Sequence, residues 1–471
     1  MDVWRYTMGA NFNLKTLTVA LAALSAASIA SAAGLDRSGQ DITAFLQDGT
    51  YAETVYTYLD ADVSGKDSSG NKIDDIAEDY DFFRYGVKTD INDTFSIGIL
   101  YDEPFGAAAD YTGKNDFITN TDADAIIQDF TKIPNLTEAY VDSVLIPQLQ
   151  GALAPGNSGN LTAEQLQAAQ GQLIGLEAAK GLAAVAGEAT QVEVRTESIT
   201  GILGAKFGTN KEFQVYGGPV AQRVRADVKL RGDAYSSAKG YTTHISKDQD
   251  YGWLAGMAYS KPEIALKAAL TYRSEIKHNA KAFETFPLAT AAGATVGLPL
   301  STTRYSDIEI NTPESVNFDF QTGINPTTLA TAKVRWVPWS DFAIVPSLYN
   351  DVSKVSTKDD KGLALVSYDK DQWQVELGLA KRLAPKFAVS GTVGWDSGAG
   401  NPVTSLGPIE GYYSVGLGGK YDITENWAVS AGGKYLWFGD ADGQIPTKQV
   451  VSKFEDNDGF ALGVKLSYQA K

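Results

Sequence analysis

Few residues of this chain could carry out covalent chemistry. Among its 471 residues there is no cysteine, and the only histidines are His244 and His278. An enzyme such as a lipid hydrolase needs a nucleophile and a base within hydrogen-bond reach, and no nucleophile motif stands near either histidine. Both histidines lie in segments that we predict to be extracellular loops. The sequence therefore predicts no enzyme activity, no metal site and no cofactor.

A second group of residues could bind an anion through charge alone. Between residues 220 and 231, charged residues alternate with apolar ones, and Arg223 and Arg225 share one parity. A cation in a confined, partly dry site pairs well with a carboxylate, and arginine can do so bidentately. Arg223 and Arg225 are therefore candidate ligand contacts. The alternative is a network of salt bridges with Asp227 and Glu275.

Bulk composition excludes some partners. The formal net charge is -17 and the pI is about 4.6, whereas binding to nucleic acid needs clustered lysine and arginine. We therefore expect no nucleic-acid partner. The acidic residues between Asp60 and Asp79 could bind calcium, but their spacing matches no defined loop and favours a solvated face.

The N-terminus has the features of a signal peptide. Two cations precede an apolar run from Leu17 to Ala30, and the small residues at its end fit a cleavage site. The alternative is a membrane anchor, but the run is shorter than the ~20 residues that a spanning helix needs. We predict a signal peptide over residues 1–32.

The last third of the chain shows the alternation of a membrane strand. Segments of about ten residues set large apolar residues against small or polar ones. In the terminal segment one parity holds Phe460, Leu462, Val464, Leu466 and Tyr468, and the other holds Ala461, Gly463, Lys465 and Ser467. A soluble β-sandwich would also alternate. Aromatic residues near the segment ends indicate the interfacial belts of a membrane protein.

Connection lengths favour the membrane barrel. Short turns near 209–211, 260–262, 325–326, 384–385 and 424–426 alternate with longer excursions at 61–79, 113–190, 232–249, 278–312, 339–368, 397–409 and 438–453. Outer-membrane barrels have short periplasmic turns and long extracellular loops, and the pattern gives about 14 strands. We predict an all-β fold, a transmembrane antiparallel β-barrel over residues 51–471. In that barrel the valines at 220, 224 and 228 face lipid, and Arg223 and Arg225 face the lumen.

Several segments resemble one known family. They are residues 251–257 (YGWLAGM), residues 269–277 (ALTYRSEIK), residues 313–316 (PESV) and the predicted mature start Ala33-Gly34. The chain resembles the FadL family of outer-membrane transporters for long-chain fatty acids and related hydrophobic compounds, which includes aromatic-hydrocarbon transporters. Two departures stand out: the family's Asn-Pro-Ala motif is missing between Ala33 and Thr50, and the chain does not end on an aromatic residue.

The resemblance implies a function and a location. A 14-stranded barrel in the outer membrane of a Gram-negative bacterium is plugged by a small N-terminal hatch, here residues 33–50. A fatty acid or hydrocarbon is captured in an apolar extracellular groove, enters an internal pocket, and leaves sideways into the outer-membrane lipid at a kinked third strand. Transport is passive, the protein is a monomer, and Arg225 occupies the place of a carboxylate-contacting arginine. The alternative is a general porin for polar solutes.

Pro104 interrupts an apparent third strand that runs from Phe95 to Tyr111. Proline cannot donate to a β ladder, and a barrel offers no free edge to hold it. We predict that Glu103, Pro104, Phe105 and Gly106 form the kink that opens a lateral gap, with Phe105 among the ligand contacts. The alternative is that the strand ends earlier and Pro104 belongs to the following loop.

The excursion over 113–190 is helical in character. Thr162 and Gln165 form a capping-box pattern, and apolar residues then recur at helical spacing. We predict an extracellular helical insertion whose apolar residues Phe130, Ile146 and Leu149 contribute to the ligand groove. The alternative is that these side chains are buried against one another.

Overall fold

The computed structural model of this protein describes residues 35–470. The predicted signal peptide and the first two residues of the predicted hatch lie outside that range. Described residues form fourteen barrel strands: β1 (Tyr51–Asp62), β2 (Tyr80–Asp90), β3 (Phe95–Asp102 and Gly106–Asp110), β4 (Gln191–Phe207), β5 (Phe213–Lys229), β6 (Thr242–Lys261), β7 (Leu266–Arg273 and Ile276–Thr285), β8 (Thr303–Thr312 and Ser315–Asn325), β9 (Thr328–Val337), β10 (Gln372–Ala384), β11 (Phe387–Asp396), β12 (Tyr412–Asp422), β13 (Trp427–Phe438) and β14 (Asp458–Gln469).

The strands form one closed antiparallel sheet. Each strand pairs with the next along the chain, and β1 pairs with β14 from Tyr51 opposite Gln469 to Asp62 opposite Asp458. Closure leaves the sheet without a free edge, which a structure within lipid requires. The predicted barrel of 14 strands is confirmed.

The outer surface carries an exposed apolar band between two aromatic girdles. The band includes Ile99, Leu203, Met257, Leu417 and Leu462, of which Leu417 is 71% exposed. At the end with short turns, the rings of Phe207 and Phe213 lie 5.5 Å apart and those of Trp427 and Tyr468 lie 5.0 Å apart. At the other end, Trp253 lies 5.2 Å from Tyr272. Because soluble proteins rarely expose so large a continuous apolar surface to water, this band faces lipid.

Strands β4 to β8 extend past the lipid-facing band, which corrects two predicted loops. The loop predicted at 232–249 ends where β6 begins, at Thr242, and the loop predicted at 278–312 is confined to residues 286–302. His244 and His278 therefore lie on β6 and β7 and not in loops. These strand ends look like loops in the sequence because their outer faces meet water and are polar.

Helices are concentrated between β3 and β4. There, α1 covers Ala123–Thr131 and α3 covers Ala163–Ala183. Between them, α2 consists of three consecutive parts, which are Glu138–Tyr140, a π-helical turn at Val141–Leu145, and Ile146–Leu153. The predicted capping box begins α3, because Thr162 and Gln165 bond each other's backbone amides at 3.2 and 3.0 Å. Two further helices, α4 (Ala289–Ala294) and α5 (Ser347–Thr357), lie in other long loops. None of the helices within residues 35–470 is both long and apolar enough to cross a membrane.

Residues 35–50 run down the inside of the barrel; we call this segment the hatch. Its first residue, Leu35, packs in an apolar cluster with Phe105 and Trp339, and its lower part packs in a second cluster around Phe45 and Tyr216. Strand glycines make room for it: a Cβ on Gly86 would lie 2.8 Å from Ala44, and Cβ atoms on Gly98 and Gly204 would lie 2.7 and 2.9 Å from Phe45.

A bulky residue at Gly98 should therefore displace the hatch. In Gly98→Val the new side chain collides with the Phe45 ring, and overpacking of this kind costs about 1–3 kcal/mol. We expect a higher ion conductance in planar bilayers, because the lower lumen is no longer filled. The matched control is Gly201→Val on β4, where an added Cβ meets nothing within 4 Å. Equal conductance of the two variants would show that the hatch does not depend on this space.

Candidate functional site

The barrel wall is interrupted between β2 and β3. Ladder pairing of these strands stops at Tyr85 opposite Tyr101 and resumes only at an isolated bridge between Ala77 and Ala109. In between, β3 has no regular strand geometry at Glu103, Pro104 and Phe105. On the other side of β3 the contact with β4 is kept, since Thr196 bonds the Phe105 carbonyl through its amide and its hydroxyl at 3.1 and 2.7 Å. The opening therefore lies on the β2 side; we call it the β3 break.

The hatch backbone seals the β3 break. The Arg37 amide donates to the Pro104 carbonyl at 2.8 Å, and the Gly106 amide donates to the Leu35 carbonyl at 2.7 Å. Asp36 and Phe105 thereby form an antiparallel bridge. Along this part of β3, the hatch backbone thus makes the hydrogen bonds that β2 would make in a regular sheet.

Side chains close the rest of the opening. The Tyr80 hydroxyl donates to the Glu103 carboxylate at 3.1 Å, and Tyr101 does so at 3.4 Å. The Arg37 guanidinium lies 4.4 Å from the centre of the Tyr80 ring, and Arg195 lies 5.3 Å from it. All of these contacts are side-chain interactions, and none of them belongs to the strand ladder.

Ion pairs tie the hatch to the barrel wall at β9 and at β2. Asp36 accepts two bonds from Arg335 on β9, at 2.6 and 3.0 Å. Asp41 lies 2.9 Å from Lys333 and 3.6 Å from Arg84. Burial by itself would raise the pKa of Asp41, but Lys333 and Arg84 outweigh it and hold the pKa well below its usual range. The ion pairs of Asp41 are therefore complete above the ordinary carboxyl pKa and are lost only when the pH falls far below it.

Above the ion pairs lies an aromatic cluster beside the β3 break. Phe105 contacts Trp339 edge to face, with ring centres 5.5 Å apart. Trp339 in turn lies 5.3 Å from Phe342 and 5.5 Å from Tyr368. All four are buried. The cluster gives the upper lumen an apolar interior that reaches the wall at the predicted ligand contact Phe105.

The helical insertion contributes one predicted ligand residue to a cavity. A cavity of about 310 Å³ lies between α1, the end of α3 and the loop after β5, and Ile126, Phe130 and Leu182 line it together with the polar Asp233 and Lys239. Ile146 and Leu149 pack into the core of the helical insertion and do not line this cavity. Phe130 is thus the only one of the three predicted side chains that the structure brings to the cavity.

Arg223 and Arg225 do not face the lumen. Their side chains are 51% and 46% exposed on the outside of β5, where Arg223 lies 3.7 Å from Glu197 and Arg225 lies 3.3 Å from Glu193. The neighbouring Val224, predicted to face lipid, is buried inside the barrel. This prediction is wrong because residues 220–229 lie above the lipid-facing band, where water surrounds the barrel and the loops fill its interior with apolar side chains. The sense of the alternation is reversed there.

The sequence analysis also missed the residues that hold the hatch. Asp36, Arg37, Lys333 and Arg335 were not among the predicted site residues. A signal was present in β9, where Lys333 and Arg335 alternate with Ala332, Val334 and Trp336. Two cations on the inner face of a membrane strand require counter-charges, and the nearest acidic residues in space belong to the hatch.

A closed barrel with a lipid-facing band, a hatch and an interrupted third strand defines an outer-membrane channel protein. The family model described as outer membrane protein transport protein (OMPP1/FadL/TodX) matches residues 186–470. The chain belongs to this family, and its place is the outer membrane. A search of curated proteins found no match.

Solved structures with the same fold cover almost the whole chain. A Pseudomonas aeruginosa FadL homologue is 14% identical with a TM-score of 0.61, over 94% of this chain and 97% of that one. The toluene transporter TodX of P. putida is 10% identical with a TM-score of 0.53, over 91% of each chain. The toluene transporter TbuX of Ralstonia pickettii is 10% identical with a TM-score of 0.52, over 93% of this chain and 95% of that one. At such identities the likeness shows the fold.

Loss of the Asp36 charge should loosen the hatch. In Asp36→Asn the buried Arg335 loses its partner, and breaking a buried pair in this way costs about 3–5 kcal/mol. We expect faster hydrogen–deuterium exchange of the amides of residues 35–41. The matched control is Asp307→Asn, whose partner Lys281 is exposed and contributes little. Unchanged exchange in Asp36→Asn would mean that the ion pair does not hold the hatch.

Proposed function

We propose that this protein is a passive channel that takes up hydrophobic small molecules, long-chain fatty acids or hydrocarbons, and releases them sideways at the β3 break. The observation that carries the proposal is the interruption of the wall between Tyr85 and Ala77, sealed only by the hatch and by side chains. A wall break of this kind is costly in lipid. Its presence beside an apolar interior therefore favours a role in transport.

Capture begins outside the barrel in this proposal. The 310 Å³ cavity with Phe130 has apolar and polar walls, which suits an amphipathic or weakly polar ligand. From there the ligand moves to the aromatic cluster around Trp339, where it displaces packed side chains and not water. Burial of its own apolar surface supplies the driving force.

The lower lumen favours the lateral route over the axial one. Below the aromatic cluster, ion pairs line the lumen, with Lys434 beside Glu376 and Arg84 beside Glu53. An apolar molecule would have to separate these charges without replacing their hydrogen bonds, which is costly. The β3 break, in contrast, leads from Phe105 directly to the lipid-facing surface. Two proteins with the same fold, TodX and TbuX, are toluene transporters, which supports a hydrophobic ligand here.

A regular third strand should abolish uptake. We propose the variant Glu103→Thr, Pro104→Val and Phe105→Thr, which lets β3 pair with β2 along its length and removes the lateral exit. In cells that lack their own transporter, uptake of labelled oleate and labelled toluene should fall to the level of cells without the protein. Assembly is checked by the heat-modifiable migration of the folded barrel.

The chain offers a matched control at a second strand interruption. In β8, Pro313 and Glu314 also interrupt a strand, and Pro313→Val with Glu314→Thr should leave uptake unchanged. Full uptake by the folded β3 variant would contradict the lateral exit. Uptake of small sugars in place of oleate and toluene by the unaltered protein would favour the general porin.

A further inference from the structure

Four cations on the outer face of the barrel share two carboxylates. In the first group, Arg195 on β4 is opposite Arg225 on β5 in the ladder, and both contact Glu193, at 2.7 and 3.3 Å. Like charges in opposite positions of two strands repel each other. Among residues 35–470, Glu193 is the only carboxylate within 4 Å of either guanidinium, so one of the two positive charges has no carboxylate of its own.

The second group repeats this arrangement nearer to the lipid-facing band. Glu197 lies 3.7 Å from Arg223 on β5 and 3.1 Å from Lys247 on β6. No other carboxylate of the described chain lies within 4 Å of these two cations. Asp227, the next acidic residue of β5, is paired with His244 at 2.6 Å. We use the name cation patch for the side chains of Arg195, Arg223, Arg225 and Lys247.

The cation patch lies directly above the lipid-facing band. Ile199 follows Glu197 by two residues on β4, and Tyr251 follows Lys247 by four on β6. These two side chains are 55% and 66% exposed and form the upper edge of the apolar surface. Two residues of a strand span about 7 Å. Since this end of the barrel carries the long loops, it faces away from the cell, and the patch lies at the level of the outer-leaflet headgroups.

We propose that the cation patch binds a phosphate group of lipopolysaccharide, the glycolipid of the outer leaflet. Its phosphates lie where its sugars meet its acyl chains, so one molecule can place its chains on Ile199 and its phosphate on the patch. Arginine binds phosphate oxygens through parallel N–H bonds. A phosphate between Arg195 and Arg225 supplies the missing negative charge and removes their repulsion. The inference concerns the outer face and does not depend on the proposed transport.

The bound glycolipid borders the β3 break. The Arg195 guanidinium lies 5.3 Å from the centre of the Tyr80 ring, and Tyr80 is one of the side chains that close the break. A phosphate on Arg195 therefore holds a lipopolysaccharide molecule on the β4 side of the opening.

Two lysines on β7 provide a matched control. Lys277 and Lys281 are also exposed on the outer face of the barrel, but each has a carboxylate of its own. Lys277 lies 3.5 Å from Glu275, and Lys281 contacts Asp307. Because these pairs are complete, they offer no uncompensated charge to a phosphate.

The test compares lipid A, the phosphorylated anchor of lipopolysaccharide, with its dephosphorylated form. Binding to the purified full-length protein is measured by native mass spectrometry. Each cation beside an anionic membrane surface contributes about fivefold in affinity. We therefore expect Arg195→Gln with Arg225→Gln to bind lipid A about tenfold to thirtyfold more weakly, and to bind both forms equally. Lys277→Gln with Lys281→Gln should bind lipid A as the unaltered protein does.

The variant Glu193→Gln separates binding from a structural role. It frees both guanidinium groups for the phosphate, so we expect it to bind lipid A more tightly than the unaltered protein. If Arg195 and Arg225 served only to pair with Glu193, this variant would bind lipid A no better than the unaltered protein. Such a result would overturn the proposal.

Three further outcomes would overturn it. Equal binding of the two forms of lipid A by the unaltered protein excludes a phosphate contact, and this comparison needs no variant to fold. Equal losses in the arginine and lysine variants exclude the cation patch as the site. Binding of phosphatidylglycerol as tight as that of lipid A excludes lipopolysaccharide as the specific partner.

Discussion

A barrel in lipid must satisfy every backbone hydrogen-bonding group within its own structure, because no water is there to do so. A regular third strand could not meet this requirement, because Pro104 has no N–H group to donate to a neighbouring strand. The hatch meets the requirement from inside, with the amide of Arg37 and the carbonyl of Leu35 bonded to the β3 break. The plug of this barrel is therefore also part of its wall, and any motion of residues 35–37 exposes the break. In the proposed function, the same few hydrogen bonds control access to the lumen and access to the lipid.

The lumen has a lower part with ion pairs and an upper part with an apolar interior. Ion pairs with Arg335 and Lys333 hold the hatch to β9 and an ion pair with Arg84 holds it to β2, while the Phe45 ring packs against glycines of β3 and β4. The charges give the hatch a defined position, while the glycines let it approach the wall closely. An apolar ligand meets favourable surface only above the ion pairs, beside Phe105. This arrangement supports the proposed lateral route through the β3 break.

How much of this could be predicted depends on where each residue lies relative to the lipid. The terminal strand was predicted correctly: Leu462 and Val464 face outward, and Lys465 is buried inside, because lipid on one face leaves a single consistent pattern. The faces of Arg223 and Val224 were predicted the wrong way round, because the same alternation has the opposite sense above the membrane. The interruption at Pro104 followed from the chemistry of proline alone. Its partners did not, since Asp36 and Arg335 are 299 residues apart and one sequence does not give the register that joins them.

A disulfide between the hatch and the β3 break tests the central claim most directly. Asp36 and Phe105 are opposite in a non-hydrogen-bonded antiparallel pair, whose Cα atoms lie about 4.5 Å apart, within reach of a disulfide. The chain has no other cysteine, so Asp36→Cys with Phe105→Cys forms one defined bond, and Ala77→Cys with Ala109→Cys at the edge of the break is the control. We predict that oxidation stops uptake of labelled oleate by the first variant, that reduction restores it, and that the control transports in both states. Equal uptake by the oxidised and reduced forms of the first variant would contradict the account.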